Sequence, residues 1–293
     1  MSVRRDFLSV VVTALRSQRS RLLAIARSTA SGDGEERIHD TRVALRRVAA
    51  VARLSRDVPV RGDGERLRVA ARDLRQQISL ARTAEVCRAL LVSRGGPGQT
   101  SGERGRLLAD ELFPGADGTV PVDRGALREV ARLASDRILE LRKPVASTTG
   151  RARLELRLAH RVERRTLRAV ERLARCLPPR PRDIHRVRIL AKHARYALEV
   201  AQPFLIEPAP FLAALEEFQE RAGDAHDLEE LEMAVTAASR GRPDLVTLQA
   251  ELRTEARAAA GRARDSAQTL LVVLSARPLK WRSSEKPRRR GGR

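Results

Sequence analysis

Two stretches decide how this chain folds: IHDTRVALRR at 38–47 and IHRVRILAKHARY at 184–196. On a helical wheel that advances about 100° per residue, Arg42, Arg46 and Arg53 fall in a narrow arc around His39. Arg188, Lys192 and Arg195 fall in the same way around His185. The opposite face of the first stretch carries Ile38, Thr41, Leu45, Val48 and Ala52, and that of the second Ile184, Val187, Ala191, Ala194 and Leu198. Apolar on one side and cationic on the other at a period of about 3.6 residues, each stretch reads as an amphipathic helix. Its apolar face docks on a core, and its basic stripe faces outward or into a wet cleft.

The rest of the chain repeats the helical period and shows almost no strand-like alternation. Proline and glycine divide it into helices expected at about 3–31, 36–56, 64–92, 123–142, 151–177, 182–202, 208–240 and 243–276, with a short piece near 103–113. A break is expected at Gly223. His39 and His185 stand 146 residues apart, with four helices before about residue 146 and four after it. The expected fold is therefore all-α: two pseudo-symmetric four-helix bundle halves, about 1–146 and 147–277, with long antiparallel helices around a basic central cleft. Residues 278–293 are expected to form a basic disordered tail.

Composition points to the partner. Lys and Arg number 58 against 37 Asp and Glu, a formal net charge of +21. Only Lys143, Lys192, Lys280 and Lys286 are lysines, which leaves 58 − 4 = 54 arginines. Arginine's planar fork donates two parallel hydrogen bonds and suits phosphate. So large a net charge draws polyanions from a distance. Cys87 and Cys176 make no Cys-x-x-Cys pair and no disulfide framework, which favours reduced thiols and a cytoplasmic location. The apolar run at 7–15 is followed at once by Arg16, Arg19 and Arg21 without a small-x-small site. It reads as an amphipathic first helix, not a removed signal. No apolar run approaches the roughly 20 residues of a membrane span, so no membrane partner is expected.

A solvated surface explains many basic helices. Two features count against it here. The stripes hold few acids that could pair with them, and the order His-x-x-Arg-x-x-x-basic occurs twice, from His39 and from His185. The two segments resemble the signature helices of the CHAD family, the conserved histidine α-helical domain, and the resemblance spans about residues 1–277. AGDAHDLEEL at 222–231 resembles the family's short acidic motif, with Asp227 and Glu229 at its acidic positions. The resemblance implies two four-helix halves that form a basic central surface and bind inorganic polyphosphate without catalysis, in the manner of a stand-alone granule tether or polymer buffer. Carried over residue by residue, it implies phosphate contacts from His39, Arg42, Arg46 and Arg47, and from His185, Arg188, Lys192 and Arg195. Arg53 joins them on the wheel. The chain departs from the family pattern at Ala49 and His193, where a basic residue and an arginine are usual, and at Thr83, where an aspartate is usual and Glu85 is the acid left.

Other classes fit less well. Nonspecific duplex binding is compatible with the charge. Single-strand recognition is not favoured, because five Phe, one Tyr and one Trp give few stacking platforms. Metal chelation by His39, His185 or His226 would place a cation among arginines, and no Cys/His cluster has zinc spacing. His160 reads as a helix residue or an extra cationic contact. Gly95, Gly96 and Gly98 lack the Lys-Ser/Thr of a nucleotide loop, so no enzyme and no cofactor is expected.

Overall fold

The structure, a computed structural model, describes residues 6–28, 34–56, 63–94, 99–115, 123–143, 147–276 and 278–282. Among them are nine α-helices: α1 (Phe7–Arg27), α2 (Gly34–Leu54), α3 (Asp63–Arg94), α4 (Gln99–Leu112), α5 (Arg124–Arg142), α6 (Thr148–Ala174), α7 (Ile184–Ala201), α8 (Ala209–Ala238) and α9 (Val246–Ala276). Short polar side chains start three of them. Asp6 accepts from Ser9 N, Asp123 from Ala126 N and Ser147 from Gly150 N, each satisfying a first-turn amide that has no helical partner. Glu155 of α6 also accepts from Phe7 N at 2.9 Å and Leu8 N at 3.1 Å, so one half of the chain caps the first helix of the other.

The apolar faces of the signature helices are buried as the period requires. Ile38, Leu45, Val48 and Ala52 of α2 and Ile184, Val187, Ala191, Ala194 and Leu198 of α7 lie in one core shared by both halves. Thr41 is buried too, and its hydroxyl donates to Arg37 O at 2.8 Å. The C-terminal end of α2 is held by Arg137 of α5, which is fully buried, donates to Ser55 O and pairs with Glu140 at 3.1 Å. Between the halves α2 packs on α7, α3 on α8 and α1 on α6. Each of these joins an element to its own counterpart, the pattern of a pseudo-twofold axis.

One pair of contacts makes that axis explicit. Arg47 Nε donates to Glu199 Oε2 at 2.9 Å across the α2–α7 junction. Moving each residue by the 146-residue offset gives 47 + 146 = 193 and 199 − 146 = 53, and His193 does feel the charge of Arg53.

The symmetry is incomplete, and three expectations change. Among the described residues the first half has five helices, α1 to α5, where four and a short piece near 103–113 were expected; α5 packs on α1 and α3, whereas α9 packs on α8 and α7 and leaves α6 uncovered by described residues on the corresponding side. α8 runs unbroken through Gly223. Chain order also continues past 277: Ile206 N donates to Lys280 O at 2.9 Å and Arg282 N to Phe204 O at 2.8 Å. That pairing ties 280–282 to the turn after α7. The rest of the expected tail, 283–293, lies outside the described residues.

Candidate functional site

The two stripes meet on one surface. Lys192 of α7 is surrounded by Arg46 and Arg42 of α2 and by Arg188 of its own helix. Burial and then these three like charges push its ammonium down to about 6, against a weak pull upward from Asp227. Arg188 is held down by burial and by Arg46, with Asp227 and Asp224 of α8 acting the other way. Arg46 and Lys192 make no ion pair or side-chain hydrogen bond among the described residues. Cations of opposite halves therefore face each other with few acids between them, which raises the energy of the empty site.

His193 is exposed, yet so many atoms crowd it that burial, with Arg53, Arg75 and Arg172, holds its ring near pKa 4. His185 is exposed in the first turn of α7, with its pKa lowered by burial, Arg188 and Lys192. Its Nδ1 lies 3.2 Å from Nδ1 of His226 on α8, and His226 is held near 4 by burial, His185 and Arg188. One of two facing ring nitrogens must be unprotonated at that distance. His39 is exposed on α2.

Two expected contacts are occupied by carboxylates. Glu199 accepts from Arg47 at 2.9 Å and from Arg195 at 3.0 Å, and Arg195 also reaches Glu216 at 3.1 Å and Gln219 at 3.4 Å. Burial opposes the Arg47 charge, but Glu199 more than offsets it and the pKa is raised. The scarcity of acids inferred from the stripes thus applies around Arg46 and Lys192 but not around Arg47 and Arg195. Among the described residues Arg53 forms no ion pair, and it is held down chiefly by burial and Arg68.

Three residues of this surface are absent from the stripes. Arg75 of α3 and Arg172 of α6 flank His193 and Arg53. Gly223 of α8 makes room for Arg188, since a Cβ there would sit 3.0 Å from Arg188 Nη2. A glycine inside a helix was the available signal, and its reason is close approach, not a break. His160 is exposed on α6. A separate open recess at the α6–α7 turn, about 440 Å³, is lined by Arg175, Cys176, Arg180, Arg182 and Arg186 among others and includes none of the stripe residues. Among the described residues no group of three or more His, Cys, Asp or Glu is placed to hold a metal ion, and no helix is long and apolar enough to cross a membrane.

Duplicated helices, stripes that converge and an acidic element behind Arg188 are the features of the family named by resemblance, and the family model for the CHAD domain matches residues 13–236. The chain belongs to the CHAD family. The crystal structure of the CHAD domain from the plant Ricinus communis has the same all-α fold, with a TM-score of 0.60 and 19% identity over 96% of this chain and 97% of that one. None of the curated proteins matches the chain. The CHAD family is associated with polyphosphate binding and is generally non-catalytic.

Proposed function

We propose that this CHAD protein binds inorganic polyphosphate, without catalysis, in the trough between α2 and α7. The observation that carries the reading is Lys192, a half-buried ammonium set among Arg42, Arg46 and Arg188. Such clustering costs stability unless a polyanion neutralises it, and a polymer of phosphates has no base or sugar to be read, only charge and spacing. The contacts are Arg42, Arg46, Arg53, Arg188 and Lys192, with His39 and His185 at the rim. Arginine forks hold non-bridging oxygens and Lys192 adds a point charge. Arg47 and Arg195, tied to Glu199, hold the α2–α7 junction and touch phosphate only at its edge. A binder of this kind tethers to polyphosphate granules or buffers free polymer in the cytoplasm.

The test is equilibrium binding of long-chain polyphosphate to the protein and to Arg42→Ala/Arg188→Ala. Two lost charge-assisted contacts, each about 1.5–3 kcal/mol, lower affinity by at least 100-fold. A change under threefold, with the fold intact by circular dichroism, sinks the proposal. So does duplex DNA that displaces polyphosphate at equal charge concentration.

A further inference from the structure

The incomplete symmetry exposes a face with its own chemistry. In the first half, α5 packs on α1, and Val11, Leu15, Leu22 and Ala26 of α1 are each at most 1% exposed. The 146-residue offset sets Arg157, Arg161, Arg168 and Arg172 of α6 at those four positions. It also sets Leu154 and Leu158 opposite Leu8 and Val12, which keep the same buried face in both helices. Among the described residues no equivalent of α5 packs on α6. The face that is apolar and covered in α1 is thus arginine and open in α6.

Arg153 and Arg164 extend this face, and all six arginines fall within about 100° of the wheel. From Arg153 to Arg172 they span about 28 Å at roughly 1.5 Å per residue. Arg153, Arg164, Arg168 and Arg172 are exposed and have no ion pair or side-chain hydrogen bond among the described residues. Some exposed arginines elsewhere are paired, while others, such as Arg257, Arg262 and Arg264 of α9, make no ion pair among the described residues. Arg132 pairs with Glu129 and Asp136, and Arg242 with Glu111 and Asp244. At its C-terminal end the face joins the trough, because Arg172 lies close enough to His193 and Arg53 to lower both pKa values.

We infer that the open face of α6 is a second, one-sided track for polyphosphate, entered from the trough at Arg172 and used only by chains too long for the trough. This rests on the trough reading above, and it makes length preference a property of α6.

The test compares a short oligophosphate with long-chain polyphosphate on the wild type and on Arg153→Ala/Arg164→Ala/Arg168→Ala, a variant whose changes are all exposed. Expected are tighter wild-type binding of the long chain, at least a tenfold loss for it in the variant, and less than a twofold loss for the short one. The long-chain salt slope should also fall by roughly two, by analogy with flexible single strands. An unchanged long-chain affinity overturns the track and leaves the trough standing. Equal losses for both chains, with the unfolding temperature unchanged, also overturn it, since these arginines would then belong to the trough itself. A wild type that binds neither chain overturns the trough reading first.

Discussion

Lys192 shows at the scale of one residue how the site stores unfavourable charge. Its pKa in the empty protein, about 6, lies far below the ordinary lysine value. Phosphate oxygens favour the charged form, so binding raises that pKa. Between pH 6 and the bound value, each binding event therefore takes up a proton, and affinity rises by up to tenfold for each unit the pH falls. Calorimetry at pH 8 in buffers of different ionisation enthalpy should show that uptake; a heat independent of buffer contradicts it. The same shift acts on folding. A lowered pKa in the folded state means that the cost of charged Lys192 is fully present below pH 6 and is relieved as pH rises toward the unfolded value. Lys192→Met should therefore stabilise the empty protein, by about 1 kcal/mol or more, at pH 5.5, with the gain shrinking by pH 9.5, while binding weakens. Thermal melts at both pH values check the sign. The stripe from His185 to Lys192 was legible because helical spacing alone puts those residues on one line. The loss of Arg47 to Glu199 was not, because that pair is 152 residues apart in sequence and only packing brings it together.

At the scale of elements, proline and glycine predicted most helix ends to within a few residues, but Gly223 misled. Composition cannot tell a helix-breaking glycine from one that lets a neighbour approach. Here the neighbour is Arg188, whose Nη2 would lie 3.0 Å from a new Cβ. Alanine favours a helix interior over glycine by about 1 kcal/mol. The atom it would crowd is the tip of a flexible side chain, which can move aside. Gly223→Ala should leave the unfolding temperature unchanged or higher and yet weaken polyphosphate binding several-fold, because Arg188 is displaced from the trough. Loss of stability together with binding would place Gly223 in the packing of α8 instead. Arg75 and Arg172 escaped the sequence reading for a related reason. Each lies on a different helix from the stripes, and which flank of α3 or α6 borders the trough is settled only when α2 and α7 cross.

At the scale of the whole molecule, the duplication was legible from two motifs 146 residues apart, whereas the fate of α5 and α9 was not. Helix number alone does not say which face a fourth helix covers. The result is a chain of net charge +21 in which cations of α2 and α7 crowd one another around Lys192. Salt must then act with opposite signs in two states. Without ligand, added salt screens like-charge repulsion and stabilises the fold. With polyphosphate in excess, stability includes the binding term, about 2.7 kcal/mol at a hundred times Kd, and salt weakens that term steeply. Raising sodium chloride from about 50 to 200 mM, a range over which the Debye length roughly halves, should raise the unfolding temperature of the free protein and lower that of the complex. The two curves converge at high salt, where binding is lost. If both rise together, the ligand is held by something other than the charge of the trough; if the free protein does not respond, the clustered cations carry no strain for a polyanion to relieve.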